Sequence, residues 1–205
     1  MRKVKDSVRE EIKAEDAVRT CNRQCIIMFF RELETSRLYL KNISINDRDF
    51  IFKQFSNDDV NKYLFDSEPL VNMCEADEII DFYIQPEPRV QHRWILERKE
   101  DGKNIGTCGF HCWDEVTGCC EVGYDLFPVF EGKGYMSEAM QAIIAFAKTD
   151  MKANCINACI YIENTKSIKL AEKHGFAFKG QMKDEIFRGE KYPHKILSLD
   201  CIGDE

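Results

Sequence analysis

Val122-Gly123-Tyr124-Asp125-Leu126-Phe127-Pro128-Val129-Phe130-Glu131-Gly132-Lys133-Gly134-Tyr135-Met136 reads as the end of a strand, a glycine turn and the start of a long helix. Two glycines two apart let the backbone turn tightly, and without a Cβ they let a ligand approach the main chain. The first N–H groups of a helix lack internal partners and sit at the positive end of its dipole, so a helix starting here favours a phosphate. Ser137, in the first turn, adds a hydroxyl. The turn is not a P-loop, because no Gly-Lys-Ser/Thr follows, and it is not the dinucleotide fingerprint, which needs G-x-G-x-x-G.

Working outward, Gly132 to about Met151 is an amphipathic helix with Ala139, Ile143, Ile144, Phe146 and Ala147 on one face. Upstream, Asp101-Gly102 is a two-residue turn that pairs strands around 92–99 and 104–112, with a third strand around 119–126. Before them, Arg37 to Ile43 alternates as a strand, and Asn46-Asp47 offers a cap to a helix through Phe50, Ile51 and Phe55. Short helices are expected near 57–64 and 74–84, before Pro86 and Pro88 break the chain. Downstream, Cys155 to Ile162 is a buried strand, and 164–174 a helix closed by Gly175 in the left-handed region. Two strands, 176–187 and 191–202, turn at Arg188-Gly189-Glu190. This order describes an α+β fold with a mixed sheet. Residues 33–205 form the domain. Residues 1–32 form a charged extension in which Val4, Val8 and Ile12 have near-helical spacing.

The 29 basic against 36 acidic side chains give a net charge of −7, which argues against nucleic-acid binding and suits a cationic substrate. The apolar run from Cys25 to Phe30 is too short to span a bilayer, and the charged N-terminus has no signal-length apolar core, so no membrane partner is expected. The ten cysteines, among them Cys108, Cys112, Cys155 and Cys159, are read as small hydrophobes in a reducing, cytoplasmic compartment. Cys108, His111, Cys112, Cys119 and Cys120 look ligand-rich, but in a regular strand Cys112 and His111 face opposite ways. No paired Cys-x-x-Cys knuckles exist, and no metal is expected.

The segment Asn164-Thr165-Lys166-Ser167-Ile168-Lys169-Leu170-Ala171-Glu172-Lys173-His174-Gly175-Phe176 closely resembles the N-x-x-S/A…K-x-G-F segment of the Gcn5-related N-acetyltransferase (GNAT) family. The glycine turn resembles that family's R/Q-x-x-G-x-G/A motif. Leu33 to Leu40 and Gly132 to Ala139 are similar to the subgroup typified by ribosomal-protein N-terminal acetyltransferases. The resemblance spans roughly residues 33–200. It implies a mostly antiparallel sheet with helices on both faces, and a splayed parallel pair near 119–126 and 155–162 whose gap holds the pantetheine arm of acetyl-CoA.

The resemblance also implies cofactor contacts. Leu126 and Phe127 would offer backbone groups, freed by a bulge around Asp125 to Phe127. Val129, Gly132, Lys133, Gly134, Tyr135 and Ser137 would surround the pyrophosphate, and Asn164, Ser167 and Lys173 would contribute from the second helix. Lys166 and Lys169 share the face of Lys173. The acetyl group would pass to a primary amine, of a protein N-terminus or a small molecule, by direct attack in a ternary complex. Two positions depart from the family. Val129 stands where the motif has Arg or Gln. Ala171 stands where many members carry the tyrosine that protonates the leaving thiolate, so Ser167 is the expected substitute. Glu121 is the first choice as general base, with His111, Asp125 and His194 as competitors. The other reading is a catalytically silent acyl-CoA-binding regulatory module. A homodimer through the sheet edges is compatible with either.

Overall fold

The computed structural model describes residues 30–201, and the expected N-terminal helix lies outside them. In chain order the elements are β1 (Leu33–Glu34), β2 (Leu38–Asn42), a 3₁₀ turn leading into α1 (Arg48–Phe55), α2 (Asp58–Asn61) and α3 (Met73–Tyr83). They continue with β3 (His92–Arg98), β4 (Lys103–Asp114), β5 (Cys119–Leu126), a 3₁₀ turn Pro128–Phe130, and α4 (Tyr135–Thr149). The chain closes with β6 (Cys155–Tyr161), α5 (Thr165–Lys173), β7 (Ala177–Phe187) and β8 (Glu190–Asp200). One sheet takes the order β1-β2-β3-β4-β5-β6-β8-β7. Neighbouring strands are antiparallel except β5 and β6.

The parallel pair is brief. Cys119, Cys120 and Glu121 pair with Cys155, Ile156 and Asn157, and the ladder stops there although both strands run on. The splay therefore opens directly after Glu121, and residues 122–126 of β5 have no ladder partner on their β6 side. The other edge of β5 is held by β4 in unbroken register from Gly106–Leu126 to His111–Glu121. The expected bulge at Asp125–Phe127 is absent. The register shift falls on β4, between His111 and Asp114, and the splay itself is what frees backbone groups of β5.

Helices cover both faces. On one, α4 buries Met136, Ala139, Met140, Ile143, Phe146 and Ala147 against Trp94, Leu96, Phe110 and Ile156, the i, i+3, i+4, i+7 stripe of an amphipathic helix. Phe30 joins this core at 5% exposure. On the other face, Ile51 of α1 and Ala76 and Ile80 of α3 pack on Ile43 and Ile95. Strand alternation decides the split, since Trp94 and Leu96 point one way and Ile95 the other. The helix expected from Gly132 begins instead at Tyr135, because Gly134 serves as its N-cap at φ 82. No helix among the described residues is long and apolar enough to cross a membrane.

Among the described residues, cysteine usage departs from the sequence expectation at Cys112, which is exposed, and at a disulfide. Cys119 and Cys155, opposite each other at the base of the parallel pair, are joined as a disulfide. Cys108 and Cys120 do pack as buried hydrophobes.

His92 supplies a stability prediction. Its ring stacks on Phe30 at 4.4 Å and meets Trp94 edge-on, and Arg89 Nη2 lies 2.8 Å from its Nδ1. Burial, aided by the Arg89 charge, pushes the imidazole pKa down to about 2, so the folded protein holds it neutral. An unfolded chain protonates it below about pH 6.5, so the unfolded state binds the extra proton there. Stability is then intact above pH 6.5 and falls by about 1.4 kcal/mol per pH unit below it. Urea midpoints measured from pH 7 to 5 should decline less steeply for His92→Phe than for wild type. Parallel slopes would remove His92 as the cause.

Candidate active site

A cleft of about 870 Å³ runs along the opened β5–β6 gap, lined on one side by Glu121, His111 and Cys112 and on the other by Tyr124, Asn164 and Ser167. Alternation along β5 makes this division. Glu121, Gly123 and Asp125 face α1 and α3, whereas Tyr124 packs toward the α4 face.

On the first side, His111 Nε2 lies 3.3 Å from Glu121 Oε2, as expected of directly paired residues on β4 and β5. Both side chains are about one-third exposed. The His111 hydrogen bond holds the Glu121 carboxyl below the usual carboxylate range against a partial burial that raises it, so the group is ionised at neutral pH. A Cβ at Gly123 would sit 3.3 Å from Arg93 Nη2 and at an ordinary contact distance of 3.4 Å from His111 Cε1. Cys112 does not point away from His111 as a regular strand would require. Its backbone takes φ 54 inside the β4 irregularity, and its sulfur comes within 4.8 Å of the donor atoms of His111 and Glu121.

Two of the competing bases have other work. Asp125 is held by Arg93 at 2.8 Å, Thr107 Oγ1 at 2.6 Å and Gln54 Nε2 at 2.6 Å, with 6% of its side chain exposed. Removing it would strand a buried guanidinium at a cost of about 3–5 kcal/mol, which marks it as a brace for the cleft wall. His194 is buried, with its Nδ1 2.7 Å from the Tyr192 carbonyl and its ring among Phe65 and Tyr161.

On the second side, Asn164 caps α5, its Oδ1 accepting from Ser167 N–H at 3.2 Å. Ser167 Oγ is 2.7 Å from the Tyr124 hydroxyl, a contact the sequence reading missed. Burial pushes the Tyr124 phenol up, with the Ser167 hydrogen bond opposing. Where α5 carries Ala171 and no tyrosine, β5 thus brings the Tyr124 phenol to Ser167 on the same side of the cleft. Sequence carried only a faint signal of it, a tyrosine next to Gly123 on the strand that ends at the turn.

At the turn, Gly132 and Gly134 have φ 71 and 82, and no atom lies within 4 Å of where a Gly132 Cβ would stand. The N–H groups of Tyr135, Met136 and Ser137 open α4 without partners inside the helix. Ser137 Oγ accepts from Lys173 Nζ at 3.0 Å and lies 2.9 Å from His174 Nε2, so the end of α5 brings a cation and an imidazole to the start of α4. Lys166 is paired with Glu131 at 2.6 Å. Val129 is exposed, and Lys133 Nζ lies over the Phe130 ring.

Two predicted contacts are engaged elsewhere in part. The Tyr135 side chain is buried under Arg37, leaving only its N–H for a ligand. Phe127 N–H donates to Ile105 O at 3.0 Å and is not free for pantetheine. Leu126 packs its side chain against the core, and its backbone on the β6 side carries no ladder partner. The turn itself is braced by Arg37, whose guanidinium donates to the Lys133 carbonyl at 3.0 Å and to Glu138 at 2.6 Å.

Residues 37–177 match the family model described as an acetyltransferase (GNAT) domain. The chain belongs to the GNAT acetyltransferase family. Over 176 residues it is 35% identical to the uncharacterized N-acetyltransferase p20 of Bacillus licheniformis, covering 83% of this chain and 98% of p20. It is 31% identical over 87 residues to the putative ribosomal N-acetyltransferase YdaF of Bacillus subtilis, covering 42% of this chain and 48% of YdaF. In fold it is similar to the crystal structure of spermidine N-acetyltransferase from Vibrio cholerae in complex with CoA and spermine. That likeness has a TM-score of 0.71 at 21% identity, over 80% of this chain and 96% of that one. This GNAT protein is an acyltransferase, and acetyl-CoA is the family's donor. The unfilled space at Gly132, the free N–H groups of α4 and the Lys173 ammonium suit its phosphates.

Proposed function

We propose that this GNAT protein acetylates a primary amine carried by a small cationic molecule, with acetyl-CoA as donor. The carrying observation is the charge of the cleft. Its lining holds seven carboxylates, of which Asp125, Glu185 and Glu68 are paired with Arg93, Lys183 and Arg188, leaving Asp66, Glu75, Glu78 and Glu121 as a net negative charge. Such a lining attracts an ammonium and lowers the cost of its desolvation.

Acetyl-CoA supplies a thioester whose carbonyl carbon the amine attacks, with thiolate as leaving group. The chain's residues would do the rest. The Glu121–His111 pair receives the ammonium and takes its proton, the carboxylate stabilising the imidazolium that results. Unladdered backbone of β5 between Val122 and Leu126 faces the gap and offers N–H donors for developing oxyanion charge. Tyr124 and Ser167, hydrogen-bonded to each other, hold a proton on the opposite wall, where the thiolate departs. Lys173, Ser137 and the first turn of α4 hold the phosphates. No covalent enzyme intermediate is involved, and alignment of the two substrates supplies much of the rate.

A second reading, a peptide N-terminus as acceptor, draws on the partial similarity to YdaF. Free-thiol release from acetyl-CoA should separate them across a panel of di- and polyamines, amino acids and short peptides. The expected result is turnover with di- and polyamines and little with neutral peptides. Peptide-only turnover would reverse the acceptor assignment. Tight CoA binding without thiol release on any acceptor would instead support the silent regulatory module.

A further inference from the structure

We propose that His111, Cys112 and Glu121 form a binding site for Zn²⁺ at the vertex of the cleft. Imidazole, thiol and carboxylate donor atoms here all lie within 4.8 Å of one another. Around a tetrahedral zinc ion, bonds of about 2.0–2.3 Å place neighbouring ligand atoms about 3.3–3.6 Å apart. The His111–Glu121 separation of 3.3 Å already has that value. Cys112 is exposed and needs only a small side-chain adjustment to close the third side.

The local backbone is what creates the cluster. In a regular strand, Cys112 would point to the core face beside Cys108 and Phe110. The irregularity between His111 and Asp114, with Cys112 at φ 54, returns its sulfur to the cleft side. A non-glycine residue in that conformation is uncommon and mildly unfavourable, and it persists here beside the two other donors.

The mixed sulfur, nitrogen and oxygen set selects a borderline-soft ion such as Zn²⁺ over Mg²⁺ or Ca²⁺, which prefer oxygen shells. Three protein ligands leave a fourth position open to water. The nearby Lys183 ammonium opposes a cation, but Glu185 at 2.6 Å offsets its charge. On binding, the Cys112 thiol proton is released to solvent and the thiolate takes its place on the metal.

Zinc so held would occupy both groups proposed to accept the substrate proton, and acetyl transfer would be inhibited. That consequence rests on the proposed role of Glu121 and His111, whereas binding does not. The test titrates the metal-stripped full chain with Co²⁺. Wild type should take up one equivalent with a near-ultraviolet thiolate-to-cobalt absorption that Zn²⁺ abolishes. Cys112→Ser should lose that band, and His111→Ala should bind Co²⁺ at least tenfold more weakly. Measured against its own metal-free rate, Cys112→Ser should become insensitive to micromolar Zn²⁺, whereas wild type loses turnover. No thiolate band in wild type, or a band of equal strength in Cys112→Ser, overturns the site. A band that requires Cys112, with turnover untouched by saturating Zn²⁺, upholds the site and overturns the placement of the base at Glu121 and His111.

Discussion

Gly134→Trp should weaken CoA binding by at least 100-fold, about 2.8 kcal/mol, as measured by calorimetry with CoA itself. Two effects combine. Gly134 caps α4 at φ 82, where an L side chain carries a strain of about 1–2 kcal/mol. Its Cβ would stand 3.4 Å from Arg37 Nη2, so an indole must displace that guanidinium from the Lys133 carbonyl or project into the space before the helix. Either outcome spoils the place where the first N–H groups of α4 meet a phosphate. Strain alone is controlled by Gly102→Trp. Gly102 has φ 66 with open space around it and lies in the β3–β4 turn. That variant should lose comparable stability and keep CoA affinity. Equal affinity losses in both variants would mean that global destabilisation is the cause and that the phosphate site is elsewhere.

The glycine turn was legible because its signal is local: two positive-φ residues, a strand before and an apolar stripe after. The strand pairing was legible for the same reason, through Asp101-Gly102 and Arg188-Gly189-Glu190. What escaped detection depends on register between distant segments. Tyr124 and Ser167 are 43 residues apart and meet only because β5 and β6 diverge after Glu121. Asp125 looked like a free carboxylate until Arg93, 32 residues earlier, was seen to neutralise it. Among ten cysteines, only the parallel register singles out Cys119 and Cys155. The bulge at Cys112 has no glycine to announce it, so the alternation rule placed that thiol on the wrong face. The two-residue β1 carries too little pattern to be found at all.

Glu121→Gln should lower turnover by about 100-fold near neutral pH while leaving CoA affinity unchanged, a loss within the usual range for a proton-transfer group. The isosteric amide keeps the shape of the site but cannot hold a negative charge beside His111, so both ammonium binding and imidazolium formation are weakened. The assay pH then discriminates between roles. A primary amine with a pKa of about 10 is nearly all ammonium at pH 7 and increasingly free base above pH 9. A free amine needs no enzyme base, so the deficit of Glu121→Gln should shrink as the pH rises. If it stays constant, the carboxylate serves only to place the acceptor. Tyr124→Phe provides the contrast on the other wall. It removes a proton donor to the thiolate, and raising the pH does nothing to improve that leaving group, so its deficit should persist where that of Glu121→Gln fades. Similar pH responses in the two variants would contradict the assignment of base to one wall and acid to the other.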